Sequence, residues 1–100
     1  MLDKLKSVED RFDELNELLI RPDVLSSPQI YKKYSKEQSE LMPITEKIKE
    51  FRKILSGIEG AEELLKDADA DLRELAQEEL AGLKVRRPIV EEELKSMLIP

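Results

Sequence analysis

Residues 67–80, DADADLRELAQEEL, decide the fold, because they match either a calcium-binding loop or the start of a helix. The acidic residues at EF-hand positions 1, 3, 5 and 12 are Asp67, Asp69, Asp71 and Glu78. An EF-hand loop turns sharply at its sixth position and needs glycine there, whereas this chain has Leu72. The apolar residues from Leu72 onward have helical spacing. We therefore predict a helix capped by Asp69 or Asp71, and no metal site.

Apolar residues recur at intervals of three or four on both sides of this stretch, as in amphipathic helices. A first stripe consists of Leu2, Leu5, Val8, Phe12, Leu15 and Leu19. A second consists of Ile30, Tyr34, Leu41, Ile44, Ile48, Phe51, Leu55, Ile58 and Leu65, with Gln38 and Glu62 in two of its slots. A third consists of Leu72, Leu75, Ala76, Leu80, Leu83, Val90, Leu94, Met97 and Leu98. The stripes predict helices at about residues 2–20, 28–66 and 70–98.

Prolines mark where these helices begin, end and bend. Pro22 follows the first stripe and ends that helix, and Pro28 occupies the first position of the second helix. Pro43 and Pro88 lie inside the second and third stripes, but both stripes keep their phase across the proline. We therefore expect continuous helices that are kinked at Pro43 and near residues 84–88.

The length of the second helix constrains the architecture. A helix of ~39 residues extends nearly ~60 Å, which is too long for a compact three-helix globule of this size. We predict an all-α fold in which the second and third helices form an elongated antiparallel hairpin, with the N-terminal helix packed along it. Apolar residues continue as far as Ile99, so we expect residues 1–100 to be one domain of a longer protein.

The composition limits the chemistry that this chain can perform. The 100 residues include no cysteine and no histidine, so thiolate nucleophiles, thiolate zinc ligands and the commonest general base are all absent. Three consecutive glutamates at 91–93 do not form an acid/base pair, because successive helical residues point about 100° apart. We predict that the chain is not an enzyme and has no catalytic residue, no cofactor site and no metal site.

The net charge of −6 is divided into −3, +1 and −4 over residues 1–26, 27–66 and 67–100. An acidic chain is a poor electrostatic match for nucleic acid. Within the middle segment, YKKYSK at 31–36 combines two tyrosines with three lysines and is either an RNA contact or an ordinary solvated helix face. Arg86 and Arg87 are candidates for anchoring a carboxylate of a partner.

The sequence contains no membrane or secretion signal. No run of about 18 apolar residues occurs. The start, MLDKLKSVEDRFDEL, is too charged for a signal peptide and too acidic for a mitochondrial transit peptide. We therefore expect a soluble, cytoplasmic protein that makes no membrane contact.

Four segments of the chain resemble, in the same order, the N-terminal helical domain of the bacterial peptide chain release factor 1 family. Members of this family are class I release factors. The four segments are MLDKLKSVEDRFDELNELL at 1–19, RPDVLSSPQIYKKYSKEQSEL at 21–41, PITEKIKEFRKIL at 43–55 and DLRELAQEEL at 71–80. The sister release factor 2 family typically has tryptophan after Pro-Asp-Val, where this chain has Leu25. The resemblance covers essentially the whole chain and includes no catalytic motif.

The resemblance implies a protein that acts on the ribosome at UAA and UAG stop codons. In the family a Pro-x-Thr-type tripeptide reads the codon and a Gly-Gly-Gln loop promotes peptide release. We expect both motifs, and with them most RNA contacts, in codon-recognition and catalytic domains outside this chain. For this domain the resemblance implies contact with the factor-binding region near the stalk base of the large subunit, and with the class II release-factor GTPase. The alternative is a stand-alone helical coiled-coil adaptor or small chaperone, whose helices would have the same pattern.

Overall fold

A computed structural model describes all 100 residues and contains four helices and no strand. They are α1 (Leu2–Leu18), α2 (Pro22–Leu25), α3 (Pro28–Leu64) and α4 (Ala70–Met97). The all-α prediction is confirmed. The three long helices begin at the expected residues and end one or two residues earlier than expected. None of the helices has the length and apolar character that crossing a membrane requires.

The short helix α2 was not predicted from the apolar periodicity. Arg21 has an extended backbone with φ −77° and ψ 137°, as favoured before a proline, and Pro22 then begins the helix. The backbone N–H of Ser26 donates to the carbonyl of Pro22 at 3.0 Å, and the side chain of Val24 is buried. A helix of four residues is about one turn long, so it has no repeating stripe for the periodicity to detect.

Two prolines lie inside long helices without ending them. α3 continues through Pro43 and α4 continues through Pro88, as the unbroken phase of the stripes predicted. A proline has no backbone N–H, so each one removes a single hydrogen bond from its helix. The kinks expected at these two positions stay predictions.

The chain divides into two compact units, Met1–Ile48 together with Pro100, and Lys49–Ile99. In the first unit α1 lies against the beginning of α3, where Arg11 Nε is 2.6 Å from Glu37 Oε2. The buried side chains of this unit are Leu5, Leu15, Val24, Thr45 and Ile48. Its core therefore uses one apolar residue from α2 in addition to those of the two long helices.

In the second unit the later part of α3 runs antiparallel to α4. Arg86 Nη2 on α4 lies 2.6 Å from Glu50 Oε1 on α3, and Leu83 lies against Gly57. Residue numbers therefore increase along α3 in the direction in which they decrease along α4. This is the antiparallel pairing predicted for the second and third helices. The buried side chains of this unit are Phe51, Ile54, Ile58, Ala61, Ala76, Leu80, Val90 and Leu94.

The buried faces of α3 and α4 differ in part from the predicted stripes. Leu72 and Leu75 are 40% and 60% exposed, whereas Ala76 is buried. Ile54 and Ala61, which lie outside the predicted stripe of α3, are also buried. Adjacent residues on a helix are about 100° apart, so a stripe of three-four spacing leaves the exact centre of the buried face open.

Gly57→Ala and Gly60→Ala should differ in stability, although both glycines lie inside α3. A Cβ at Gly60 meets nothing within 4 Å, so alanine should raise the free energy of unfolding by about 0.5–1 kcal/mol through its helix propensity. A Cβ at Gly57 would lie 2.9 Å from Leu83 Cδ1, so this leucine must move and the gain shrinks or reverses.

Urea unfolding followed by circular dichroism measures both variants. Gly82→Ala on α4 also adds its Cβ into open space and is the control, which should behave like Gly60→Ala. Equal stabilisation by Gly57→Ala would show that the two helices are not closely packed at Leu83.

Candidate functional site

The aspartate-rich turn between α3 and α4 is a helix cap. Asp69 is the N-cap of α4, and its Oδ1 accepts the backbone N–H of Asp71 at 2.8 Å and that of Leu72 at 3.4 Å. Asp67 Oδ1 accepts the backbone N–H of Asp69 at 2.9 Å. The predicted cap is confirmed, with Asp69 as the capping residue. Asp71 lies in the first turn, where its charge interacts favourably with the positive end of the helix.

Arg73 stabilises the same turn through backbone acceptors. Its Nη1 donates to the carbonyl of Asp67 at 2.8 Å and to that of Ala68 at 2.9 Å. Glu78, which matches the twelfth EF-hand position, is exposed on α4. The structure contains no group of three or more acidic residues arranged to hold a metal ion. The carboxylates of Asp67 and Asp69 therefore accept backbone N–H groups of the turn.

Residues 31–36 form an exposed part of α3 in which the two tyrosines are in different environments. Tyr31 is 42% exposed, and the three lysines of this segment are exposed. Tyr34 is half-buried, and the guanidinium carbon of Arg11 lies 5.8 Å from the centre of its ring. Because Arg11 lies over one face of Tyr34, Tyr31 is the more accessible of the two tyrosines for stacking on a base. The arrangement favours the solvated-face interpretation of this segment.

Arg11 is held by partners on both α1 and α3. Its Nε and Nη2 donate to the two carboxylate oxygens of Glu37 at 2.6 and 3.2 Å, and its Nη1 pairs with Glu14. The hydrogen bond to Glu37 is the largest cause that raises the pKa of Arg11 above its ordinary value. This bidentate pair was not predicted, because no local pattern links residues on two different helices.

Arg86 forms an ion pair within the chain, and its suggested role as an anchor for a partner stays a prediction. Its Nη2 donates to Glu50 Oε1 at 2.6 Å, and this hydrogen bond raises the pKa of Arg86 above its ordinary value. Arg87 is exposed, so its suggested contact with a partner stays a prediction. Among the glutamates at 91–93, Glu91 lies 3.7 Å from Lys95 on the same helix surface.

One tripeptide of the chain matches the letters of the Pro-x-Thr motif, Pro43-Ile44-Thr45. It lies inside α3, where Thr45 is only 6% exposed. The hydroxyl of Thr45 donates to the backbone carbonyl of Met42 at 2.7 Å. A buried threonine with a satisfied hydroxyl cannot read a nucleotide base, so this match has no role in codon recognition.

An open groove of about 420 Å³ runs along one face of α3 in the second unit. We call it the α3 groove. The residues that line it are Leu55, Ile58, Glu59, Glu62, Glu63, Leu65 and Lys66. Aliphatic side chains form its floor and three glutamates form its rim. The signal for it in the sequence is Glu62, a charged residue in a slot of the apolar stripe. Unpaired glutamate is almost never fully buried, so the stripe has to be open to water at this point.

Three charged groups of this structure have a resolved pKa shift. Each resolved pKa shift arises from an ion pair at the surface, including that of Asp23, whose pKa is lowered by hydrogen bonds from Arg21. Active sites instead usually shift pKa values by desolvating a titratable group in a cleft. No buried polar side-chain atom in this structure lacks a hydrogen-bond partner.

These features define an all-α domain with an open groove on its surface. A family model described as the PCRF domain matches residues 8–100, so the chain belongs to the PCRF domain family. Over its whole length it is similar to proteins named Peptide chain release factor 1, which confirms the resemblance noted in the sequence.

Three of these relatives show the extent of the similarity. The chain is 43% identical to the protein of Caldicellulosiruptor bescii, 44% identical to that of Listeria welshimeri and 37% identical to that of Acidobacterium capsulatum. In each case the comparison covers 100% of this chain and 28% of the relative. The chain therefore spans little more than a quarter of the length of these relatives. No solved structure matches it.

Asp69→Ala should lower the free energy of unfolding by about 1 kcal/mol, because it leaves the first N–H groups of α4 without their side-chain acceptor. Asp69→Asn retains a side-chain oxygen and should stay close to the native chain. Asp71→Ala should cost less, because Asp71 acts only through its charge near the helix end. Chemical denaturation of the three variants tests this order. A loss for Asp71→Ala as large as that for Asp69→Ala would contradict the assignment of the cap.

Calcium should leave the melting temperature unchanged. A ligand that binds only the folded state raises the melting temperature, and the aspartates of the turn already accept backbone hydrogen bonds. Thermal melts across a calcium titration into the millimolar range test this, with magnesium as a control for ionic strength. A saturable rise specific to calcium would show that the turn rearranges into a metal site.

Proposed function

We propose that this chain is the N-terminal helical domain of a peptide chain release factor that acts in translation termination at UAA and UAG codons. The similarity to proteins named Peptide chain release factor 1, at 37–44% identity over the whole chain, is the observation that carries this proposal. In this proposal codon recognition and peptide release belong to domains outside this chain, an assignment that its coverage of 28% of the first of these relatives supports.

We assign this domain a binding role within that protein. Its partner is the factor-binding region of the ribosome near the stalk base of the large subunit, or the class II release-factor GTPase that acts there. A net charge of −6 favours a protein surface over RNA, because phosphates repel an acidic chain. The domain performs no chemistry, and the RNA contacts of the whole factor lie mainly in its other domains. Its location is the cytoplasm, where it would meet the ribosome.

The purified chain should release no peptide when it is added to ribosomes stalled at a stop codon. It contains no Gly-Gly-Gln, no histidine and no cysteine, so it has no group that positions a water molecule at the ester. The measurement is hydrolysis of labelled peptidyl-tRNA at UAA, UAG and UGA. Release above background that depends on the stop codon would show that the chemistry lies in this chain.

The same assay tests the binding role when an intact peptide chain release factor 1 is present below saturation. Excess chain should slow release modestly, because it occupies the factor-binding region without the avidity that the other domains provide. An unrelated acidic helical protein of similar net charge is the matched control and should have no effect. If the chain and this control behave alike, the assignment to the factor-binding region is wrong.

A further inference from the structure

The negative charge of this chain is concentrated at the turn between α3 and α4. Residues 59–79 contain nine acidic and two basic side chains, a net charge of −7. The remaining residues contain fourteen acidic and fifteen basic side chains, a net charge of +1. The acidic character of the protein therefore comes from one segment of 21 residues, all of it within the second unit.

The two basic side chains of this segment neutralise little of its charge. Lys66 Nζ lies 3.5 Å from Glu63 Oε1, and both side chains are largely exposed. Arg73 donates to the backbone carbonyls of Asp67 and Ala68 and so is directed away from the carboxylates. The carboxylates of Glu59 and Glu62 have no basic partner. Negative potential is therefore left at the rim of the α3 groove.

The floor of the α3 groove is apolar. Leu55 and Leu65 are half-buried and Ile58 is buried, so these side chains present part of their surface beside the acidic rim. The lining residues run from Leu55 on α3 to Lys66 in the turn that follows it, and residues 55–64 of the helix extend over about 14 Å. The open side of this groove is as long as two or three turns of another helix.

We propose that the α3 groove binds an amphipathic helix of a protein partner, with aliphatic residues on one face of that helix and lysine or arginine on its flanks. The aliphatic face would cover Leu55, Ile58 and Leu65, and the basic flanks would meet Glu59 and Glu62. Helices commonly dock in this way, with apolar anchors that supply affinity and charges that supply orientation and specificity. The inference rests on the proposed function, for which it names the surface and the chemistry of the partner.

A basic protein helix fits the groove better than RNA does. RNA phosphates would be repelled by the carboxylates that line the rim, and the groove contains no aromatic side chain on which a base could stack. The aliphatic floor requires an apolar complement, which a leucine-bearing helix supplies and a phosphate backbone does not.

The experiment uses the 100-residue chain and two synthetic peptides of identical composition. One peptide places leucines along one helical face and lysines on the other, and the second disperses the same residues around the helix. We expect the amphipathic peptide to bind on the order of tenfold tighter by fluorescence anisotropy, with amide NMR shifts confined to the groove residues. Equal affinity for both peptides, or shifts outside the groove, would overturn the proposal.

A matched pair of charge reversals tests the rim. Glu59→Lys combined with Glu62→Lys should weaken binding of the amphipathic peptide on the order of tenfold or more. Asp13→Lys combined with Glu17→Lys makes the same change in net charge at exposed positions of α1 and should have little effect. Equal weakening by both pairs would mean that net charge alone governs binding. The native chain and both double variants should bind a mixed-sequence single-stranded RNA no more tightly than the native chain binds the amphipathic peptide. Tighter binding of the RNA than of the peptide by the native chain would also overturn the proposal.

The outcome is separable from that of the ribosome assay. A chain that competes with the intact factor but does not discriminate between the two peptides would contradict the groove alone. A chain that binds the amphipathic peptide through the groove, but does not compete on the ribosome, would contradict the proposed function alone.

Discussion

The reversal of the chain at Asp69 is the constraint on which the second unit depends. The carboxylate of Asp69 accepts two backbone N–H groups that a helix start otherwise leaves unpaired, and Arg73 holds two carbonyls of the same turn. This begins α4 only a few residues after α3 ends, so the two helices pair in antiparallel order. The pairing then places Leu83 against Gly57 and Arg86 against Glu50. The buried core of this unit follows from that register.

Local signals predicted the helices, whereas their lateral packing required the structure. Pro28 and Asp69 each mark a helix start by the conformation or hydrogen bonds of a few neighbouring residues, and both starts were located correctly. The burial of Ile54 and the exposure of Leu75 depend on which side of a helix meets its neighbour, and the spacing of apolar residues does not specify this within a single helix. The pair formed by Arg11 and Glu37 is non-local for the same reason.

The acidic surface at the α3 groove was not predicted, because the net charge was summed over three segments of the chain. Glu59, Glu62 and Glu63 belong to a middle third that is positive overall, because it also contains the lysines of earlier turns of α3. A boundary between residues 66 and 67 separates these glutamates from the aspartates and glutamates that directly follow them, so the acidic segment at 59–79 is divided between two charge totals. The side of the helix on which they flank apolar residues depends in turn on where α4 packs. The sequence therefore showed which residues are acidic and which are apolar. It did not show that they line one groove.

The helical content of the fold has a consequence for how the chain reaches its folded state. The pair between Glu50 and Arg86 joins positions 36 apart, and that between Arg11 and Glu37 joins positions 26 apart. Both pairs join different helices, whereas the backbone hydrogen bonds inside a helix join residues only four apart. Helical proteins that are rich in such local contacts lose little loop entropy before their first contacts form, and they fold in microseconds to milliseconds. The absence of strands also means that no slow search for strand register is needed. Once its synthesis is complete, a chain of this topology exposes its apolar stripes only briefly, which reduces the time available for aggregation.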